Sequence, residues 1–125
     1  MSLIVIIEDN DQSSRLAARL LQRDGHEVLI AEDGEMGLEL VLTNPPDQVL
    51  IDLGLPDLDG QTVVAMMRQQ NALQRVPIIA FTAWPEATAR AMVRAYGCDG
   101  VISKPIDTRQ FAQQVSSFIR ATTQE

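Results

Sequence analysis

Five short apolar runs alternate along this sequence with segments whose apolar residues recur at helical spacing. The runs lie at residues 3–7, 27–31, 49–51, 76–81 and 100–103, and their content of Val and Ile is typical of buried strands. The helical segments lie at about residues 11–24, 34–43, 63–71, 86–96 and 111–121, with a frayed end at 122–125. Strict alternation predicts an α/β fold, with five parallel strands in a doubly wound sheet and five helices on its two faces. The second run is less uniformly apolar than the others, which predicts an edge strand.

At 125 residues the chain is long enough to bury a core of its own, and we expect residues 1–125 to form one domain. Its net charge of −7 argues against nucleic acid as a direct partner, since phosphate binding requires clustered Lys and Arg. The same charge argues against binding to an anionic membrane surface.

No apolar run reaches the length of a transmembrane helix, and the first residues lack the basic region of a signal peptide. Because Cys98 is the only cysteine, the chain cannot form an internal disulfide, and this cysteine content is typical of a reducing compartment. We therefore expect a cytoplasmic protein.

Polar and charged residues stand where four of the five predicted strands end. Glu8 and Asp9 follow the first strand, Asp52 the third, Thr82 the fourth and Lys104 the fifth. An open parallel sheet binds its ligands in the crevice beyond the carboxyl ends of its strands. Taken alone, Asp52 is better explained as a turn residue, but four such exits along one crevice predict a functional site.

The chemistry of these residues indicates what the crevice could hold. Carboxylates that share a site oppose each other's ionisation, so the cluster requires a cation. Oxygen ligands with room for several waters suit Mg²⁺, which binds through one or two carboxylates together with a phosphate. A hydroxyl and an ammonium on the other side suit an anionic oxygen. The exits therefore predict a metal, an anion and a nucleophile in one place.

With these motifs the sequence resembles the receiver domain of two-component response regulators over essentially all of its length. Asp52 falls on the family's phosphoacceptor, and the loop Leu-Pro-Asp-Leu-Asp-Gly at 55–60 is similar to the turn that follows it. The pair Glu8-Asp9 resembles the family's acidic pair, which holds Mg²⁺ directly or through water. The resemblance adds Asp52 itself and the backbone carbonyl of Gly54 to the metal ligands.

Thr82 matches the family's switch hydroxyl, and Lys104 matches the lysine that pairs with the phosphoryl group. Pro105 matches a proline whose preceding peptide bond is typically cis. The resemblance also implies a flavodoxin-like fold with strand order 2-1-3-4-5, which the alternation of strands and helices does not fix by itself.

The resemblance implies that Asp52 accepts a phosphoryl group from a sensor histidine kinase or a histidine phosphotransfer protein in a Mg²⁺-dependent reaction. Thr82 and Lys104 would act in that step, and the signal would pass on by protein–protein contact. Such a domain is not an enzyme with a separate substrate, although it assists its own phosphorylation and dephosphorylation. Because the sequence ends with its fifth predicted helix, we expect it either to act alone on a downstream protein or to belong to a longer protein with an output domain. A homodimer is left open.

Val101 departs from the family pattern, since this position often carries a Tyr or Phe that turns inward when the hydroxyl residue moves. An alternative hypothesis is therefore a constitutive interaction module of the same fold that phosphorylation does not switch. Glu8 also departs from the usual Asp, and we expect this change to leave metal binding intact. A phosphohydrolase is disfavoured because Gly54 stands where its general acid is needed. Nucleotide binding is disfavoured because no Gly-x-Gly-x-x-Gly motif follows the first strand.

Trp84, the only tryptophan, stands two residues after Thr82. One interpretation is that its ring covers the end of the sheet as part of the core. We expect it instead to overhang the crevice, because its loop runs beside the site that Thr82 lines. A large ring there would shield an acyl phosphate from in-line attack by water.

Overall fold

The computed structural model describes residues 2–123, apart from the side chains of residues 86, 92, 94 and 120–123. The strands are β1 (Leu3–Ile7), β2 (Glu27–Ala31), β3 (Gln48–Ile51), β4 (Ile78–Thr82) and β5 (Gly100–Ser103). The α-helices are α1 (Asp11–Arg23), α2 (Gly34–Thr43), α3 (Gly60–Arg68), α4 (Glu86–Tyr96) and α5 (Phe111–Thr123). Strands and helices therefore alternate as the sequence predicts. Of the residues expected to fray, 122 and 123 belong to α5, and 124 and 125 lie outside the described residues.

The five strands are parallel and form one sheet in the order β2-β1-β3-β4-β5, which confirms the doubly wound fold and the flavodoxin-like order. β2 lies at an edge, as its less apolar sequence predicts. In the centre of the sheet Ile7 pairs with Ile51, so the residues that follow β1 and β3 leave the sheet side by side. At the other side Thr82 pairs with Ser103, which places the residue after β5 next to the end of β4.

The sheet separates two apolar layers, because successive side chains of a strand point to opposite faces. On one face Ile7 packs in a cluster with Val63 of α3. On the other face Ile6 packs with Leu21 of α1 and Phe111 of α5. All five side chains are fully buried, and burial of each stabilises the fold by about 1.5–3 kcal/mol. The central strands are thus held from both sides, which fixes the positions of their carboxyl ends.

A polar cap begins α1, and glycines follow the ends of α1 and α4, within one residue of where the sequence predicts these helix ends. The Oδ1 of Asn10 accepts a hydrogen bond from the backbone N–H of Ser13 at 2.9 Å and begins α1. After α1, Gly25 takes a φ of 91°, and after α4, Gly97 takes a φ of 88°. These are left-handed conformations that glycine adopts at little cost, so both helices stop there.

The end of α3 differs from the prediction. The helix stops at Arg68, about three residues before the expected Asn71, and a 3-10 turn follows at Asn71–Leu73. The Arg68 guanidinium donates to the carbonyls of Leu73 and Val76, at 3.0 and 2.9 Å, and holds this segment as a turn. β4 then begins at residue 78, two residues later than predicted, because the proline before it has no N–H to pair.

None of the helices within residues 2–123 combines the length and the apolar character that crossing a bilayer requires.

Candidate functional site

Asp52 is the first residue after β3, and hydrogen bonds on both sides fix its position. Its backbone N–H donates to the carbonyl of Ile7 at 2.9 Å, so the chain leaves the sheet beside β1. Its Oδ1 accepts from the N–H of Gly54 at 3.1 Å, the bond of an Asx turn. The side chain keeps 16% of its surface exposed, so a ligand from solvent can reach it.

Glu8 and Asp9 follow β1 and form an acidic cluster with Asp52. One carboxylate oxygen from each of the three residues lies within 4.8 Å of the other two. Glu8 is buried, Asp52 is partly buried and Asp9 is exposed, so the cluster extends from the interior to the surface. The fold thus brings together the three carboxylates that the strand exits predict as metal ligands.

The carboxylate of Glu8 is buried, and its charge is costly there. Burial raises the pKa of Glu8 to about 7, because a charged carboxylate loses its hydration there. The hydrogen bond from Lys104 lowers this pKa, whereas the neighbouring carboxylate of Asp52 raises it. Its Oε2 accepts from the backbone N–H of Asn10 at 3.3 Å. The protein's own groups therefore stabilise the negative charge of Glu8 only in part. A bound cation would stabilise that charge further.

Lys104 follows β5 and directs its ammonium into the acidic cluster. Its backbone N–H donates to the carbonyl of Thr82 at 2.8 Å, which extends the β4–β5 pairing by one residue. Its Nζ donates to Oε1 of Glu8 and lies 3.7 Å from Oδ2 of Asp52. The same Nζ lies 4.9 Å from the ring centroid of Phe81, within range of a cation–π contact. The sequence predicts that Lys104 lies at this site. It does not predict the contact with Phe81, which the sequence identifies only as an apolar residue of the fourth strand.

Thr82 is the last residue of β4, and its side chain is buried. Its hydroxyl oxygen accepts from the backbone N–H of Trp84 at 3.1 Å. In the part of the chain that the structure describes, this hydroxyl makes no hydrogen bond to Asp52 or Lys104. Trp84 keeps 37% of its surface exposed, more than a ring that closes the core would leave. The peptide bond between Lys104 and Pro105 is cis, as the family resemblance implies.

The donor set of the acidic cluster suits a hard divalent cation. The carboxylates of Glu8, Asp9 and Asp52 offer oxygen ligands, and the peptide of Gly54 lies next to Asp52 through its N–H bond. One ammonium, that of Lys104, does not neutralise three carboxylates. Oxygen ligands that reach the surface leave room for water, as Mg²⁺ requires. These residues therefore fit a Mg²⁺ site.

A groove of about 350 Å³ opens beside the cluster, where the start of α1 approaches the start of α2. Glu8 and Asp9 line it together with Arg15 and Met36. The groove therefore meets the acidic cluster at the exposed carboxylate of Asp9.

Comparisons with known proteins agree on one family. The family model described as the response regulator receiver domain matches residues 4–116. The polar-differentiation response regulator DivK of Brucella anthropi is 30% identical over 116 residues, which cover 93% of this chain and 94% of that protein.

Solved structures show the same similarity in three dimensions. A putative response regulator from Chloroflexus aurantiacus superposes with a TM-score of 0.89 at 26% identity, covering 95% of this chain and 98% of that one. The chemotaxis response regulator CheY4 of Vibrio cholerae superposes with a TM-score of 0.89 at 22% identity, covering 94% and 98% of the two chains. The latter likeness concerns the fold alone.

Proposed function

The chain belongs to the response regulator receiver domain family, and from this premise we propose that it is a switch that accepts a phosphoryl group on Asp52. The observation that supports this most is the surrounding of Asp52. Its partly exposed carboxylate shares a cluster with Glu8 and Asp9, and the ammonium of Lys104 lies 3.7 Å away. A nucleophile, a cation site and a positive charge for an anionic oxygen thus occupy one crevice.

The donor in this proposal is a phosphohistidine of a sensor histidine kinase or of a histidine phosphotransfer protein. A carboxylate oxygen of Asp52 attacks the phosphorus, an O–P bond forms and the P–N bond breaks. The electron pair of that bond stays on the imidazole, which leaves as a neutral ring when its other nitrogen carries a proton. Catalysis of such a transfer is mainly positioning and charge neutralisation.

The proposed metal ligands are the carboxylates of Glu8, Asp9 and Asp52 and the backbone carbonyl of Gly54. When bound there, Mg²⁺ would supply positive charge to the oxygens of the transferred group. The chain's own residues orient the carboxylate of Asp52, since the N–H of Gly54 holds its Oδ1 and leaves Oδ2 on the side of Lys104.

Lys104 and Thr82 are the proposed partners of the phosphoryl oxygens. The Nζ of Lys104 pairs with Glu8 and lies 3.7 Å from Oδ2 of Asp52. A phosphoryl group on Asp52 would draw this ammonium toward its own oxygens. The hydroxyl of Thr82 would turn from the N–H of Trp84 toward the phosphoryl group, whose own charge is about −2. Movement of Thr82 would shift the loop that connects β4 to α4. Coupling of about 1–3 kcal/mol between such a site and a distant face is ordinary, or roughly 5–150-fold in partner affinity.

Hydrolysis resets the proposed switch. Water attacks the phosphorus, a new O–P bond forms and the bond to Asp52 breaks, which restores the Asp52 carboxylate and releases inorganic phosphate. In this sense the chain assists its own phosphorylation and dephosphorylation without acting on a separate substrate. We place the switch in the cytoplasm, with a downstream protein or an output domain as the recipient of its signal.

A second candidate function is a constitutive interaction module, and Val101 is the observation that favours it. Its side chain is half-buried and packs beside a cluster formed by Leu53, Ala80 and Val93. Because no aromatic ring stands at this position of β5, the inward turn of such a ring cannot relay a movement of Thr82.

Hydrogen exchange distinguishes the two functions. Beryllofluoride, which mimics the phosphoryl group, is added with Mg²⁺ to the wild-type chain and to Asp52→Asn. A switch changes amide protection in residues 83–99, which include the loop after β4 and α4, in the wild type only. Binding of beryllofluoride with changes confined to the residues around Asp52 would support the constitutive module. No binding at Asp52 would exclude the phosphoacceptor function.

A further inference from the structure

A carboxylate from the loop after Asp52 caps the helix that follows β2. The Oδ1 of Asp57 accepts from the backbone N–H of Gly34 at 2.8 Å, and its Oδ2 accepts from that of Glu35 at 3.0 Å. These two N–H groups lie in the first turn of α2 and have no acceptor within the helix. The partial positive charge of a helix N-terminus also favours a carboxylate. A residue 23 positions away in the sequence thus completes the start of α2.

Asp33, the residue before α2, already supplies a local cap. Its Oδ1 accepts from the backbone N–H of Met36 at 2.8 Å. One such side chain, with water on the remaining N–H groups, is a common way for a helix to begin. The second carboxylate, that of Asp57, has a further consequence, because it joins the loop that carries the phosphoacceptor to α2.

The loop and α2 approach each other closely at Gly34. A Cβ atom added there would lie 2.8 Å from Cγ2 of Val63 and 3.1 Å from Cβ of Leu58, so one of the neighbours would have to move. The hydrogen bonds from Gly34 and then from Glu35 hold the pKa of Asp57 below its ordinary value, and its carboxylate stays charged at neutral pH. The absence of a side chain at residue 34 allows α2 to lie this close to Val63 of α3 and to Leu58 of the loop.

The loop between Asp52 and Gly60 is anchored at its base by other contacts. Leu53 and Leu55 are buried, and the N–H of Gly60 donates to the carbonyl of Leu53 at 3.2 Å. Asp57 stands at the exposed tip of the loop. Within residues 2–123, the two bonds of its carboxylate are the hydrogen bonds that join this tip to another element of the fold.

We propose that Asp57 is a positioning residue for the metal site: by joining the loop tip to α2, it holds the Asp52–Gly54 segment in the conformation that binds Mg²⁺. The inference rests on the proposed function, under which Asp52 and the carbonyl of Gly54 are metal ligands. Gly54 lies only three residues before Asp57, between the buried Leu53 and Leu55, so we expect release of the tip from α2 to reorient the Gly54 peptide and not to free the whole loop. Loss of a group that orients metal ligands typically weakens metal binding by about 10- to 100-fold.

Calorimetric titration of the full chain with Mg²⁺ tests this role in four proteins: the wild type, Asp57→Ala, Asp59→Ala and Gly34→Ala. Asp59 lies in the same loop and makes no side-chain capping bond to α3, so its replacement removes the same charge but no tether. We expect about tenfold weaker binding in Asp57→Ala and a change within about twofold in Asp59→Ala. Gly34→Ala keeps every charge and places a methyl group 2.8 Å from Cγ2 of Val63 in α3 and 3.1 Å from Cβ of Leu58 in the loop, so we expect it to move the loop and to weaken binding as well.

Thermal unfolding of each variant, measured beside the titration, separates positioning from stability. A purely structural role would lower the unfolding temperature of Asp57→Ala and leave the Mg²⁺ affinity of the folded protein equal to that of Asp59→Ala. That result, or wild-type affinity in a folded Gly34→Ala, would overturn the inference and leave the proposed function intact. If Asp57→Ala does not fold, the Mg²⁺ affinity of Gly34→Ala tests the inference instead. A wild-type chain that does not bind Mg²⁺ would overturn the proposed function, and the inference with it.

Discussion

Lys104 and Glu8, 96 residues apart in the chain, form an ion pair at the centre of the acidic cluster. The Glu8 side chain is fully buried, and 16% of the Lys104 side chain is exposed. A cation that binds Glu8 therefore competes with the ammonium of Lys104 for the same carboxylate. The lysine that is proposed to meet the phosphoryl group is thus paired with a proposed metal ligand while no phosphoryl group is present.

Lys104→Ala should bind Mg²⁺ more tightly than the wild type, because it removes the charge that competes for Glu8. Removal of one positive charge at this distance changes the binding free energy of Mg²⁺ by on the order of 1 kcal/mol, or about fivefold in affinity. Calorimetry measures the change, and Lys104→Arg, which keeps the charge, should stay near the wild type. The Ala variant should also lose the effect of beryllofluoride on amide protection in α4. A large drop in its Mg²⁺ affinity would show that Lys104 supports the metal site and does not compete for it.

Val101→Tyr should increase the response of the distal face to phosphorylation. A cavity of about 330 Å³, lined by Val93, Gly100 and Phe118 among others, adjoins Val101 and has room for a ring. In the wild type, beryllofluoride should shift amide resonances strongly around Asp52 and weakly across β5 and α5. The Tyr variant should show larger shifts in β5 and α5, whereas Val101→Ile, without a ring, should not. Equally large shifts on both sides in the wild type would mean that another residue carries the switch.

Trp84 should report on ligands in the crevice and protect the acyl phosphate. Its backbone is bonded to the hydroxyl of Thr82, and more than a third of the residue is exposed. Its emission should change when Mg²⁺ and beryllofluoride bind. Trp84→Ala should shorten the lifetime of the phosphorylated form, and Trp84→Phe, which keeps a ring, should shorten it less. Emission that neither ligand changes, together with an unchanged lifetime in the Ala variant, would show that the ring of Trp84 does not cover the site.

Asp57 should make the stability of the protein depend on pH in the acid range. In the unfolded chain its carboxyl titrates near 3.8, and the bond from Gly34, followed by that from Glu35, lowers its pKa in the folded protein. The folded state therefore binds the proton more weakly, and the contribution of Asp57 to stability is present above the unfolded pKa and is lost as the pH falls through the folded pKa.

Urea unfolding of the wild type and of Asp57→Asn measures this contribution as a function of pH. The difference in unfolding free energy should be constant between about pH 5 and 7 and should shrink below about pH 4. Asp59→Asn is the control, since Asp59 makes no side-chain capping bond. A difference that stays constant down to pH 2.5 would show that the carboxylate charge contributes nothing to the cap.

The sequence was sufficient to predict the fold and the placement of the acidic residues, for a physical reason. Alternation of apolar runs and helical spacing leaves a doubly wound sheet as the arrangement that buries every run. Parallel strands then bring their carboxyl ends to one edge, so residues as distant as Glu8 and Asp52 are predicted to meet without knowledge of any contact. Strand order required the resemblance to a family, because alternation alone allows more than one order.

Side-chain contacts between distant segments were not predictable in this way. The pairing of Lys104 with Glu8 depends on the reach of two flexible side chains, and the cap of α2 by Asp57 depends on how closely a loop approaches Gly34. The early end of α3 depends on hydrogen bonds that Arg68 makes to carbonyls beyond the helix. Local apolar spacing, from which helix ends are predicted, contains no information on such tertiary bonds.

The central claim is that Asp52 accepts a phosphoryl group with the help of Mg²⁺, and intact-mass measurement tests it most directly. The chain is incubated with acetyl phosphate and Mg²⁺, alongside Asp52→Asn and a sample with a chelator. We expect one phosphoryl adduct on the wild type and none in the other two samples. An adduct that persists in Asp52→Asn, or that forms equally well with the chelator, would contradict the account.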